Sequence, residues 1–393
     1  MNNSEDIKII TDSLNKNPMF RLSLGSKELF HSNFLEFLWE QNKTAFLKML
    51  GEMISNNENE TRLKEIIKKV GEDNLKLARE KEHFDICIYH NDGNKIVYDI
   101  IIENKVKSIP YKPQLDEYVK KIEEKQGETA IFILLSLVKN FPQKDKIEDW
   151  NIVNYSQLET LIRTHYSFFC YCVMNQYIKD YCNLVENLCK IEECIEESES
   201  LSAEQYQLLK DIRLHDLYHK LTGSIFIGDL YKRLIEGKNN NELLNNDLIT
   251  IGKEDREDKV HKIFLSSSYN NGKGTITAAI LKNRVFYTIQ IEGDQYRHMV
   301  NMEQIAKNNF DQDGKKIEDN KLEAELVDNK FALDFLKFKG KVDESEIQDK
   351  LNKHYCKYGS DVVYKYVKKD DSDDMLGTMA EDVINTCKQL NIN

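Results

Sequence analysis

The chain has 393 residues, a length that predicts two or three domains and a substantial core. Its formal net charge of −12 argues against a protein that coats nucleic acid without specificity, because phosphate affinity grows with the cations supplied. That charge leaves open an enzyme that binds nucleic acid locally and uses a divalent metal to neutralise its site. Apolar runs such as residues 96–102 and 131–138 are far shorter than the roughly 20 residues that span a bilayer, so we expect no membrane segment.

The N-terminal sequence and the cysteines both favour a cytoplasmic protein. No basic stretch followed by an apolar core opens the chain, so we expect no signal peptide. The eight cysteines contain no CxxC pair, and several lie at helical spacing among apolar residues. Reduced, buried thiols are the simplest interpretation of that pattern.

The first third of the chain changes from a helical to a strand-like pattern. Apolar residues recur at three- and four-residue steps across residues 23–54, which predicts one or two amphipathic helices. A further helical piece covers about Leu63 to Val70. Residues 75–106 are predicted to form strands, with the Asn-Asp-Gly-Asn tetrapeptide at 91–94 as a hairpin turn between two of them.

A helix followed by a buried strand comes next. The pattern at residues 112–127 predicts a helix that ends near Gly127. The continuous apolar run at 129–138 is typical of a strand buried on both faces, so strand, helix and strand together predict a parallel crossover. A further strand is expected at 150–155, and a helical pattern then runs from 156 to about 190.

The acidic, polar segment at 190–205 predicts a domain boundary. We therefore expect a first domain at residues 1–195, with its core at about 20–160, and an α+β domain at residues 206–393. Within the second domain the patterns predict a helix at 206–236, an antiparallel strand meander at about 261–302, helical pieces at 302–309, 321–338 and 343–355, a strand at 361–367 and a final helix near 374–390.

Two charged residues interrupt the apolar strand that ends near residue 107. Because alternate strand residues face opposite sides, Glu103 and Lys105 are expected to point the same way. A carboxylate there suits a hard divalent cation, and a lysine one pleat away can orient a water or stabilise a phosphate oxygen. The alternative is a surface ion pair on an edge strand, but the apolar flanks indicate a central strand, where isolated charge is costly.

A second acid, Asp85, lies upstream of the hairpin turn. Antiparallel pairing around that turn places Asp85 opposite roughly residues 100–103, although a bulge would shift this register. Asp85 and Glu103 are therefore expected to share one cation, with the Asn104 carbonyl as a further ligand. Asp99, on the predicted Glu103 face, is either a third acid or a buried group satisfied by hydrogen bonds.

These motifs resemble those of a known family. Phe84–Asp85 followed by "IENK" at 102–105 resembles the metal-binding signature of the PD-(D/E)XK nuclease superfamily, with phenylalanine where other members have proline. "QLDEY" at 114–118 resembles the Gln-x-x-x-Tyr helix motif of its RecB-like branch. "HSNFLEFLWE" at 31–40 resembles a helix pattern of a prokaryotic PD-(D/E)XK family, and the likeness covers about residues 20–160.

The resemblance implies a restriction-endonuclease-like α/β fold, in which helices flank a mixed sheet, followed by the C-terminal α+β domain. It implies that Asp85 and Glu103 bind Mg²⁺ or Mn²⁺ and that Lys105 is the catalytic lysine. Gln114 and Tyr118 would position the DNA backbone or brace the site. Glu36, on the first helix, matches an acidic position that some members use near the metal.

We therefore predict a metal-dependent phosphodiesterase acting on DNA in restriction, repair or anti-phage defence. An RNase is one alternative, because metal phosphodiester chemistry does not distinguish the sugars. A catalytically silent nuclease-fold module that binds a protein or ligand is another. The C-terminal domain is a candidate for substrate choice, homo-oligomerisation or contact with a partner protein.

Two weaker motifs lie in the second half of the chain. His215 and His219 have a helical zinc spacing, but Asp216 replaces the glutamate that metalloproteases need, so a helix-surface or packing role is favoured. Arg297 and His298 lie on strand-like sequence, where they either contact nucleic acid or a ligand or belong to an ordinary exposed strand.

Overall fold

The computed structural model describes residues 3–23, 28–54, 57–166, 173–198, 201–236, 244–252, 262–270, 272–282, 285–301, 330–338, 341–347, 356–358, 362–368 and 374–392. The chain forms two compact units, Met1–Thr222 and Gly223–Asn393. The acidic segment in which we expected a boundary contains the end of one long helix and the start of the next.

The first unit contains a sheet and the helices around it. Its helices are α1 (Asn3–Lys16), α2 (Pro18–Leu22), α3 (Glu28–Gln41), α4 (Lys43–Met53), α5 (Asn57–Val70), α6 (Lys112–Gln126), α7 (Tyr155–Tyr166), α8 (Val173–Glu196) and α9 (Ala203–Asp211). Its strands are β1 (Lys76–Lys81), β2 (Phe84–Asp92), β3 (Lys95–Lys105), β4 (Ile131–Ser136) and β5 (Trp150–Asn154). Helix α10 (His215–Glu236) begins in this unit and ends in the second one.

The described strands of this unit form one mixed sheet in the order β1-β2-β3-β4-β5. β1, β2 and β3 pair antiparallel, whereas β3, β4 and β5 pair parallel. Strands β3 and β4 occupy the middle of the sheet, and every residue of β4 is buried, as its continuous apolar sequence predicts. The mixed α/β fold, the hairpin at 91–94 and the parallel crossover through α6 are confirmed.

Helix α6 connects β3 and β4. Its sequence contains residues that begin a helix, a residue that ends it and an apolar face. Pro113 lies in the first turn, and Gly127 ends the helix in a left-handed conformation at φ 76°. Leu115, Val119 and Ile122 recur at helical spacing and are buried, which packs this helix against the core of the first unit.

A β-bulge changes the register between β2 and β3. Tyr89 lies opposite Tyr98 near the turn, but Ile88 lies opposite Ile100, so Asp99 is the extra residue. The side-chain amide of Gln126 accepts a hydrogen bond from the Tyr98 N–H at 2.9 Å and donates one to the Tyr98 carbonyl at 3.0 Å. The end of α6 thus satisfies the main chain beside the bulge.

The second unit contains a further sheet with helices against one face. Its strands are β6 (Ile249–Ile251), β7 (Lys262–Asn270), β8 (Lys273–Lys282), β9 (Val285–Glu292), β10 (Gln295–Asn301), β11 (Cys356–Tyr358) and β12 (Val362–Lys368), and its helices besides α10 are α11 (Lys330–Leu336) and α12 (Met375–Gln389). The described strand order is β11-β12-β10-β9-β8-β7-β6, and β7 to β10 form the predicted antiparallel meander. Residues of α10, α11 and α12 share one apolar core with this sheet.

Some predictions for this half lie outside the described residues. The helical piece at 302–309 and most of that at 343–355 belong to this group, and α11 covers only the end of the one at 321–338. Among the described helices of the whole chain, none combines the length and the apolarity that a bilayer crossing needs.

The strand of Arg297 and His298 is not the ordinary exposed strand that was one of the two expectations. His298 is fully buried between the rings of Phe335 and Phe338, with Nε2 2.6 Å from an Asp382 carboxylate oxygen. Arg297 donates to both oxygens of Glu292 at 2.8 Å. Because the histidine is a core residue and the arginine is already paired with an acid, neither side chain favours a nucleic-acid contact here.

Candidate active site

The bulge brings Asp85 to the end of β3. With Ile86 opposite Ile102, the register continues to Asp85 opposite Glu103, whereas the unbulged register from Tyr89 would place Asp85 opposite Ile102. A carboxylate oxygen of Asp85 accepts a hydrogen bond from the Asn104 N–H at 2.7 Å. Asp85 therefore contacts the peptide group that joins Glu103 to Asn104.

Glu103 and Lys105 form a buried ion pair. Their side chains are 4 % and 10 % exposed, and Lys105 Nζ lies 2.7 Å from Glu103 Oε1. The second carboxylate oxygen, Oε2, is buried and has no hydrogen-bond partner among the described residues. Burying a charged oxygen without a partner is costly, so this atom indicates a position where a positively charged ligand would be stabilised.

Gln114 connects the members of the site. Its side-chain oxygen accepts from Lys105 Nζ at 3.3 Å, and its side-chain nitrogen donates to the Tyr118 hydroxyl at 2.9 Å. The same nitrogen lies 3.5 Å from Glu103 Oε1. Because Gln114 and Tyr118 are one helical turn apart on α6, the helix presents both groups to the strand end. The Tyr118 ring also packs edge-on against Phe84 at 5.2 Å.

Burial makes both acids of the site hard to ionise. It raises the pKa of Asp85 to about 6, although the Asn104 hydrogen bond and the charge of Lys105 oppose the shift. Burial likewise raises the pKa of Glu103 to about 7, with Lys105 opposing and the charge of Asp85 adding to the shift. For Lys105, burial alone would lower the pKa, but the attraction of Glu103 outweighs it and the pKa is raised. A cation beside the two acids would favour their ionised forms.

The side chain of Asn104 holds the strand end to two helices. It is fully buried, and Nδ2 donates to the Glu28 carbonyl at 3.0 Å and to Ser32 Oγ at 3.2 Å. Its Oδ1 accepts from the buried Tyr155 hydroxyl at the start of α7. The Asn104 side chain is therefore structural, so only its main-chain carbonyl is a candidate metal ligand.

Helix α3 places Glu28, and not Glu36, against this strand end. Glu36 forms an ion pair with Arg79 of β1, and that arginine also donates to Asn33. Glu28 accepts from the main chain that follows Lys105, and its charge contributes to the raised pKa values of both site acids. The role of Glu36 as a metal ligand stays a prediction. Sequence reasoning missed Glu28, because nothing nearby in the chain indicates a contact almost 80 residues away.

The remaining polar candidates have structural partners. Asp99 lies in the bulge, where strict alternation of strand faces is interrupted, and its carboxylate is 2.8 Å from His90 Nδ1. This agrees with a buried group satisfied by hydrogen bonding. His219 lies 3.0 Å from the Tyr206 hydroxyl and packs against aromatic rings, which agrees with a packing role for this histidine.

The donor set at the strand end fits a hard divalent cation. Two carboxylates and a main-chain carbonyl are oxygen ligands of the kind that Mg²⁺ prefers, and Mg²⁺ commonly retains water at its other positions. The buried Glu103 Oε2 without a hydrogen-bond partner among the described residues, and the raised pKa values of Asp85 and Glu103, agree with a site that a cation would stabilise. In the part of the chain that is described, no three His, Cys, Asp or Glu side chains are grouped to hold one metal, so water or substrate oxygens would complete the coordination.

Comparison with known proteins agrees with this geometry. Residues 17–197 match the sequence model of the PD-(D/E)XK nuclease superfamily, a range that contains the whole mixed sheet and every site residue described above. Comparisons with curated proteins and with solved structures found no match. The order of acid, acid and lysine in the sequence, and their meeting at the end of a central strand, agree with this match: residues 17–197 of the chain are similar to the PD-(D/E)XK nuclease superfamily.

Proposed function

We propose that this protein is a divalent-metal-dependent nuclease that hydrolyses phosphodiester bonds in DNA. One observation carries the proposal: Asp85, Glu103 and Lys105 meet at the end of β3, where Glu103 Oε2 is buried without a partner. The geometry provides acidic oxygens for a cation and a nearby ammonium for a phosphate or an attacking water, which are the groups that phosphodiester hydrolysis needs.

Asp85, Glu103 and the Asn104 carbonyl would hold the cation. A bound Mg²⁺ or Mn²⁺ lowers the pKa of water and neutralises phosphate charge. Lys105 supplies a fixed positive charge beside it, and burial strengthens that charge by excluding water. Gln114 fixes the Lys105 ammonium by accepting its hydrogen bond and fixes the Tyr118 hydroxyl by donating to it.

DNA is the proposed substrate because the Gln114–Tyr118 motif resembles the RecB-like branch of the superfamily. RNA remains the second substrate to test, since the proposed hydrolysis does not involve the sugar. The proposed settings are restriction, repair or anti-phage defence in the cytoplasm.

A binding module without catalysis explains the site less well. Glu103 and Lys105 are nearly completely buried charges, and buried charges cost folding free energy that apolar residues would not. A module that only bound a partner would gain nothing from keeping both charges beside Asp85. The buried charges therefore favour a chemical role.

Cleavage assays test the proposed function. Supercoiled, linear and single-stranded DNA, and RNA, would be incubated with Mg²⁺ or Mn²⁺ and with wild type, Lys105→Ala or Asp85→Ala. We expect Mg²⁺-dependent DNA cleavage by wild type and a fall of about 10²–10³-fold in each variant, the scale seen when one electrostatic stabiliser is removed.

Lys120→Ala is the matched control, because Lys120 is an exposed lysine of α6 with a 76 % exposed side chain. It should retain wild-type activity and the wild-type circular dichroism spectrum. Equal activity in all four proteins would show a contaminating nuclease and would overturn the proposal.

A further inference from the structure

Glu28, the first described residue of α3, binds the main chain immediately beyond Lys105. Its Oε1 accepts hydrogen bonds from the N–H groups of Val106, Lys107 and Ser108 at 3.2, 3.3 and 3.1 Å. The Ser108 hydroxyl donates to the same oxygen. Consecutive N–H groups that converge in this way form a concavity that favours an anion, and here a carboxylate of the same chain occupies it.

The main-chain carbonyl of Glu28 fixes the strand on the other side of Lys105. It accepts the side-chain amide of Asn104 at 3.0 Å, and Asn104 donates its own N–H to Asp85 at 2.7 Å. One residue therefore contacts both the residue before and the three residues after Lys105. A change in the Glu28 side chain leaves this carbonyl contact in place, but it is expected to release the segment that follows Lys105 and orients the lysine.

We propose that Glu28 is a positioning residue for the Asp85, Glu103 and Lys105 site. Its carboxylate holds the peptide groups after Lys105 in a fixed turn, and this fixes the direction in which the Lys105 side chain enters the site. The inference rests on the proposed nuclease function. Glu28 itself donates no proton and contacts no substrate in this role, so its effect is on the turnover rate and on metal affinity.

A purely structural role in anchoring α3 predicts something different. It would lower thermal stability and the amount of active protein, without a selective change in kcat or in the exchange of a few amides. Glu28→Ala removes the acceptor, whereas Glu28→Gln keeps an oxygen that can accept the same N–H groups. Glu40→Ala, at an exposed glutamate on the same helix, is the matched control.

The test combines three measurements on the full chain. Steady-state cleavage of DNA with Mg²⁺ gives kcat and KM, calorimetric titration with Mn²⁺ gives metal affinity, and hydrogen exchange monitors the amides of residues 106–108. We expect Glu28→Ala to lower kcat or Mn²⁺ affinity by about 10–100-fold, the range for residues that orient metal ligands, with KM within about threefold. Its amides at 106–108 should exchange faster. Glu28→Gln should recover most of each loss, and Glu40→Ala should match wild type.

Three results would overturn the inference, and they distinguish its failure from a failure of the proposed function. In the first, the wild type cleaves DNA, and Glu28→Ala has the same kcat, Mn²⁺ affinity and amide exchange as the wild type. That result would overturn this inference and leave the proposed function standing. Equal losses in Glu28→Ala and Glu28→Gln would also overturn it, because an intact acceptor would then be without effect. Absence of cleavage by the wild type would overturn the proposed function and this inference together.

Discussion

Asp85 and Glu103 are carboxyl groups that the fold buries beside one another, so their ionisation works against folding. The pKa of Asp85 in the folded protein is about 6, raised from an ordinary value of 3.8 by burial. Between about pH 4 and pH 6, the Asp85 carboxyl group therefore keeps its proton in the folded state and loses it in the unfolded chain. The free energy of unfolding therefore falls as pH rises from about 4 to about 6. Above that range the full cost of burying the ionised Asp85 carboxylate is present.

The substitution Asp85→Asn is therefore expected to stabilise the metal-free protein. At about pH 8 in the presence of a chelator, removal of the buried charge should raise the Tm by about 2–4 °C, which corresponds to about 1 kcal/mol in a domain of this size. The amide oxygen can still accept the Asn104 hydrogen bond, so the local geometry should persist. Differential scanning calorimetry measures the shift.

The pH dependence and a surface acid provide the controls for this prediction. At about pH 5 the difference in Tm should shrink, because wild-type Asp85 is then largely protonated in the folded state. Asp116→Asn, at an acid whose side chain is 50 % exposed, should leave the Tm unchanged. A lower Tm for Asp85→Asn at about pH 8 would mean that the carboxylate is stabilised by partners other than a metal.

The Asp99 bulge is the feature of the sheet that makes the site possible. Without the extra residue, the register from Tyr89 and Tyr98 would place Asp85 opposite Ile102 and not opposite Glu103. Gln126 stabilises this irregular stretch through two hydrogen bonds to the Tyr98 main chain. The end of α6 therefore supports the geometry at the opposite end of β3.

Gln126→Leu should destabilise the first unit, because it leaves a partly buried N–H and C=O of Tyr98 without partners. We expect the free energy of unfolding to fall by about 1–3 kcal/mol, the cost of unsatisfied buried polar groups. Urea denaturation followed by circular dichroism measures the change. Gln207→Leu, at an exposed glutamine of α9, should show no comparable loss, and equal stabilities of the two variants would contradict this role for Gln126.

At the scale of the whole molecule, charge opposes general binding to nucleic acid. The net charge is −12, and residues 75–144 carry twelve Lys and Arg against eleven Asp and Glu, so the segment that contains the candidate site is nearly neutral. Asp85 and Glu103 would repel a phosphate unless a cation lies between them. Binding of DNA should therefore depend on a divalent ion and involve few phosphate contacts.

Fluorescence anisotropy with labelled DNA tests this expectation. Millimolar Ca²⁺, a cation that also prefers oxygen ligands, should tighten binding at least about tenfold relative to chelator, and the slope of log K against log salt should stay shallower than about −5. Asp85→Asn should reduce the response to Ca²⁺. Equally tight binding in chelator and a steep salt slope would indicate a basic surface that the charge distribution does not predict.

Local sequence patterns were sufficient for much of the architecture. The apolar run of β4, the turn at 91–94 and the Gly127 end of α6 each depend on neighbouring residues, and each prediction is confirmed. His298 shows the limit of this reasoning. Its strand pattern is evident, but only the packing of Phe335 and Phe338 against it makes it a core residue.

The sequence by itself determined that two acids and a lysine lie on the two strands of one hairpin, because their spacing along β2 and β3 is a property of the chain. Only the tertiary structure decided that the bulge puts Asp85 level with Glu103, that Gln114 bridges Lys105 and Tyr118, and that Glu28 holds the strand end while Glu36 pairs with Arg79. The physical reason is that strand periodicity and helix ends arise from residues a few positions apart. Register shifts and buried hydrogen bonds depend instead on segments that meet only when the chain has folded.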